Sequence, residues 1–278
     1  MHEAPLLWSA LLAYVVAGST AIFALALERR AERGILGLLA LGLALHGAAL
    51  AARWIAVGHG PFITLFEILS GNIWSLTLVF TLAYWRVPAV RPAAAFVMPV
   101  LFILMGWLLV AHPGEGHFPP TYRTLWLYVH VGLGKVFLGT VLVAVGLSGL
   151  ILARLAAQGL EELAFRFMAI GFVFETLMLV SGAVWAQDAW GRYWAWDPLE
   201  TWAFLTWLSL AAFLHARVAF RVGPRASALM IIGVFVLAFL TFFGVPFIST
   251  AAHKGAICKR TSGCEALPSR SPRSCSSA

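Results

Sequence analysis

The chain has 278 residues, 61% of them hydrophobic and 11% charged, and its mean hydropathy is +0.88. A sequence this apolar cannot hide its non-polar surface in one water-soluble core, which excludes a soluble enzyme or binding module and leaves a polytopic membrane protein. The net charge of +7 does not point to nucleic acid, because the basic residues fall in short clusters between apolar runs, as topology signals do.

A helix needs about 20 apolar residues to cross roughly 30 Å of hydrocarbon. Runs of that kind lie at about Pro5 to Leu27, Gly34 to Val57, Phe62 to Tyr84, Ala93 to Ala111, Thr124 to Leu152, Phe167 to Trp185, Pro198 to Phe220 and Ala226 to Ile248. The first is too long and too weakly flanked for a cleaved signal peptide. Gly58, His59, Gly60 and Pro61 form a turn before the third run. Arg29, Arg30, Arg33, Arg86, Arg91, Arg154, Arg166, Arg217, Arg221 and Arg225 then all fall on one side, which the positive-inside rule makes cytoplasmic. Arg123 and Arg192 are left outside. The expected fold is all-α: a membrane bundle of about eight transmembrane helices with both termini on the outer side.

Residues 1–253 read as a single transmembrane domain and 254–278 as a disordered tail rich in Ser, Arg and Pro. The tail holds Cys258, Cys264 and Cys275, whose spacings fit neither a zinc site nor a CxxC redox pair.

Between the sixth and seventh runs lies a stretch from Trp190 to Trp202 with four tryptophans in thirteen residues. An indole belt at the membrane surface is one reading of it; a platform for a large planar ligand is the other. Asp197, Pro198 and Glu200 have the spacing of a capping box with proline at the first helical position, so neither acid is read as catalytic. An ionisable side chain within a span is a functional candidate. His130 lies near the outer end of the fifth run, and His253 follows the eighth. Either is an ordinary core or surface histidine, or the two hold a haem iron axially. His215 sits in the inner half of the seventh run, where it snorkels toward Arg217 or serves as a ligand of a second haem; His46 has the same two readings. Glu67, Lys135 and Glu175 also lie inside spans, and the depths of Lys135 and Glu175 permit an interhelical ion pair.

Trp190, Gly191, Arg192, Tyr193, Trp194, Ala195, Trp196, Asp197, Pro198, Leu199, Glu200, Thr201 and Trp202 closely resemble the WWD signature of the haem-handling proteins of cytochrome c biogenesis. The ending in Asp, Pro, x, Glu, Thr, Trp, together with Leu214, His215, Ala216 and Arg217, is most similar to the CcsA (ResC) family. His59 to Leu69 and Phe243 to Pro246 resemble further segments of that family.

The resemblance implies a haem-handling subunit of the system II cytochrome c synthase, part of a haem lyase complex in the cytoplasmic membrane with the WWD segment facing the periplasm. Haem b is then the cargo. His130 and His253 match the family's outer axial ligands, and His215 matches its intramembrane ligand, whose counterpart comes from a CcsB (ResB) partner. Trp190, Tyr193, Trp194 and Trp196 form the platform, Arg192 and Arg123 are candidates for the propionates, and apocytochrome c receives the haem. A HemX-like regulatory protein and a CcmC-like delivery subunit are the alternatives.

Overall fold

The computed structural model describes residues 3–60, 62–114, 116, 120–155, 158–220 and 222–245. His253, Arg221, Pro246 and the whole tail with its cysteines lie outside the described residues. Among the described residues there is no strand. There are eight helices long and apolar enough to cross a membrane: α1 Glu3–Ala26, α2 Glu32–Val57, α3 Leu65–Arg86, α4 Ala94–Val110 (entered through a 3-10 turn, Pro88–Ala93), α5 Leu125–Leu152, α6 Leu160–Trp190, α7 Pro198–Ala219 and α8 Pro224–Phe239, which runs on into a π-helical turn, Leu240–Gly244.

The helices run up and down, and polar contacts near their ends fix the order. Arg53 near the end of α2 reaches Glu3 at the start of α1 and Glu67 at the start of α3. At the opposite end the Tyr84 hydroxyl donates to the Glu32 carbonyl, Arg91 pairs with the Glu32 carboxylate, and Arg217 of α7 pairs with Glu161 of α6 at 3.3 Å. One end of the bundle therefore gathers the arginine-rich connections and the other the tryptophan-rich one.

Helix α5 is the central element, packed against α3, α4, α6 and α8. Its small residues make this possible. A Cβ at Gly139 would lie 2.7 Å from Val79 of α3, and one at Gly146 would lie 2.6 Å from Val97 of α4. In a bilayer, where apolar side chains gain nothing by leaving lipid, such close backbone approach supplies the packing contacts that hold helices together.

Helix α6 is longer than its apolar run. It starts at Leu160 rather than near Phe167, and ends at Trp190 rather than Trp185. Glu161 and Glu162 occupy its first turn, where carboxylates complement the helix dipole, and Glu162 pairs with Arg166 one turn on. Charge thus extends the helix into water at one end. At the other, Gly191 takes the left-handed conformation (φ 71°) and closes the helix through its N–H to the Gln187 carbonyl.

Helix α7 starts as the sequence predicts. The Asp197 carboxylate accepts from the Glu200 N–H at 2.9 Å, and Glu200 Oε2 accepts from the Asp197 and Ala195 N–H groups at 3.4 and 2.7 Å. This cap stitches the tryptophan loop to the helix and holds Trp196 in the left-handed region, φ 58°. A bulky residue rarely adopts that conformation, so the loop is specified by its polar contacts.

Candidate functional site

A cavity of about 250 Å3 lies at the tryptophan end, lined by α3, α5, α6, the tryptophan loop, α7 and the π-helical turn. Its walls include Phe62, His130, Met178, Trp185, Tyr193, Trp194 and Phe242, and Asn72 and Lys135 also line it. Thr241 of the π-helical turn lines it as well; its hydroxyl is 3.0 Å from that of Thr206 on α7 and ties the two elements together.

His130 is held from two sides. Its Nδ1 lies 2.8 Å from the Met178 carbonyl oxygen, and its ring stacks on Trp185, with centroids 6.0 Å apart and planes at 27°. A carbonyl only accepts, so Nδ1 carries the hydrogen and, in the neutral ring, Nε2 carries the lone pair. This is the tautomer that a metal-binding imidazole needs, fixed by an outer contact as such ligands usually are. Gly182 makes room for it: a Cβ there would lie 2.6 Å from Nδ1. Trp185 is itself fixed by donation from Nε1 to the Thr121 carbonyl at 3.1 Å and by edge contacts with Trp190 and Tyr122. Burial pushes the Tyr122 phenol up, so it stays neutral against this wall.

The tryptophan loop divides into residues that face the cavity and residues that do not. Tyr193 and Trp194 line it. Trp190 packs behind Trp185, and Trp196 is 68% exposed, with its ring edge-on to Trp194 at 5.6 Å. The Trp194 Nε1 is buried without a hydrogen-bond partner among the described residues. An orphaned donor of that kind is uncommon in a folded protein and marks a place where a bound molecule can supply the acceptor. Arg123 and Arg192 are both exposed and line no part of the cavity. His215 is exposed on α7 toward the arginine end, its ring edge-on to Phe220 at 6.2 Å, far in sequence and in helix position from His130.

His46 is fully buried, with Nε2 2.9 Å from the Ser70 hydroxyl and its ring 6.0 Å from that of Tyr14. The expected pairing of Lys135 with Glu175 is not formed. Lys135 Nζ donates instead to Asn72 Oδ1 of α3 at 2.8 Å, and both Glu175 oxygens are buried without a hydrogen bond among the described residues. The two helices are apolar all the way round, so depth alone does not fix which side chains meet.

Glu67 is accounted for structurally. With Thr64 it closes a capping box on α3, its Oε2 accepts from the Ile63 N–H, and its Oε1 takes a 2.8 Å bond from Arg53 Nε. Arg53, an ionisable residue inside an apolar run, carried a signal that the spans alone left unread, since nothing in the sequence names its partners. Its other nitrogens reach Glu3 at 3.0 Å and the Gly114 carbonyl at 2.7 Å, so one guanidinium ties α1, α2, α3 and the α4–α5 connection next to the Phe62 wall. Trp185 and Gly182 gave no signal, the first standing only at the end of the sixth run and the second a small residue within it.

The fold and the cavity define an integral membrane helical protein with a cavity between an oriented imidazole and an aromatic wall. The family described as cytochrome c assembly protein matches residues 63–253, and the chain belongs to that family, as a CcsA-type cytochrome c biogenesis protein. It is 31% identical to the CcsA protein of Parasynechococcus marenigrum over 82% of this chain and 88% of that one. It is 29% identical to the CcsA protein of Prochlorococcus marinus subsp. pastoris over 73% of this chain and 77% of that one. With the CcsA protein of Guillardia theta the identity is 29%, over 73% and 79%. In fold it resembles a solved structure named cytochrome c heme lyase CcmF, with a TM-score of 0.72 at 22% identity, covering 87% of this chain and 46% of that one. The chain thus spans less than half of that larger protein.

Proposed function

We propose that the chain is the haem-handling subunit of a system II cytochrome c synthase, which binds haem b in the aromatic cavity and presents it to the CxxCH thiols of apocytochrome c. The observation that carries this reading is His130, whose tautomer and ring plane are set by Met178 and Trp185 in a cavity otherwise walled by aromatic and apolar groups. His253, outside the described residues, is the second axial ligand in this reading. Two imidazoles occupy both axial positions of the iron and restrain its redox chemistry, while the protein supplies position and exclusion of competitors. The exposed His215 suits a ligand shared with a CcsB (ResB) partner. The arginine-rich end is cytoplasmic and the tryptophan end periplasmic.

The test is maturation of a reporter c-type cytochrome in a host without its own system, given this chain and a CcsB-like partner. Covalent haem on the reporter is the expected result, and normal maturation in a strain that lacks this chain excludes the reading. Gly182→Ala supplies a sharper probe of the site. The added methyl displaces the His130 ring from the Met178 carbonyl, and loss of such an orienting contact typically lowers metal-centre affinity about 10- to 100-fold. Haem titration of the purified variant, with unchanged helical content, checks it.

A further inference from the structure

The cavity holds a cation within membrane depth that is paired with no acid among the described residues. Lys135 lines the cavity and lies about 7.5 Å deeper along α5 than His130, at 1.5 Å per residue. Its hydrogen-bond partner is the neutral amide of Asn72. Among the described residues it forms no ion pair. The acid that lines the same cavity, Glu200, is committed to the cap, its Oε2 taken by two loop N–H groups. A charged side chain inside a span is expensive unless something pairs with it, and ammonium groups favour anionic acceptors.

Resting on the haem reading above, we propose that Lys135, positioned by Asn72, is the anchor for the carboxylate edge of the bound tetrapyrrole, which therefore enters the cavity propionates first. The chemistry of the product requires the same orientation. The vinyl groups lie on the edge opposite the propionates, and they must meet thiols that arrive from the aqueous side at the tryptophan end. Carboxylates turned inward onto Lys135 leave the vinyls there. Carboxylates turned outward onto Arg123 or Arg192 would bury the vinyls beside Lys135, away from any thiol. Asn72 holds the ammonium toward the cavity before the ligand arrives, so little side-chain freedom is lost on binding.

The full-length chain in detergent is titrated with haem and with haem dimethyl ester, whose propionates carry no charge, and binding is followed by the Soret band. Wild type is expected to prefer haem by about 10-fold or more, the scale of one charge-assisted hydrogen bond. Lys135→Met erases that preference while keeping the axial-ligand spectrum, and Lys135→Arg restores it. Should Lys135→Met fail to accumulate, Lys135→Gln, which still donates to Asn72, supplies the same comparison. Equal binding of the two ligands by wild type, the result if a lipid anion occupies Lys135 instead, overturns the proposal, as does a preference that survives in Lys135→Met. A wild-type chain that binds neither ligand refutes the haem reading itself, and is distinguished by the loss of both signals at once.

Discussion

Replacement of His130 by alanine is expected to abolish the bis-imidazole haem spectrum of the purified chain without unfolding it. The variant loses the imidazole's hydrogen bond to the Met178 carbonyl, and that oxygen keeps a 3.0 Å contact from the Ser181 hydroxyl when the ring is gone. Loss of that hydrogen bond costs on the order of 1 kcal/mol, small beside the loss of an axial ligand. Trp185 stays in place because its N–H is held by Thr121. The space left between Trp185 and Gly182 admits free imidazole, so adding it to His130→Ala should restore part of the spectrum. An unchanged spectrum in the variant would show that the cavity is not where the iron is ligated.

Arg53→Ala carries the largest expected effect on stability. Glu67 is fully buried and Arg53 nearly so, and truncating one member of such a pair leaves a carboxylate with no counter-charge, typically a loss of about 3–5 kcal/mol. Arg53→Lys is expected to recover only part. A single ammonium does not reach Glu67, Glu3 and the Gly114 carbonyl in the planar fork that the guanidinium presents. Arg53→Met combined with Glu67→Gln removes the stranded charge and should unfold at a higher temperature than Arg53→Ala alone. Thermal unfolding in detergent separates the three. Because Glu67 also holds the Ile63 and Thr64 N–H groups, loosening the pair should loosen Phe62 and with it one wall of the cavity.

The helices were legible in the sequence because a span must be apolar for a fixed length, and the start of α7 because a capping box is local. The extension of α6 beyond its apolar run was not, since Glu161, Glu162 and Arg166 resemble a loop until their dipole and i,i+4 contacts are counted. The faces of the helices were the hardest to read. A helix that is apolar all round has no stripe to show which side meets its neighbours. Lys135 and Glu175 therefore share a depth without forming a pair, and Gly182 and Trp185 look like any other span residues. The tryptophan-rich stretch was visible as a whole, but its division into Tyr193 and Trp194 facing the cavity and Trp196 facing away depends on a left-handed backbone that the cap of α7 imposes.

The acceptor that orients His130 belongs to the main chain. Every amino acid at position 178 brings the same carbonyl oxygen, so substitutions there alter the cavity wall without rotating the imidazole. Mutational access to the ring's orientation runs instead through position 182, where every residue but glycine adds bulk. The site is thus robust to drift at one position and brittle at the next turn of the same helix, and the shape of the cavity can diverge among related chains while the geometry of its ligand stays fixed.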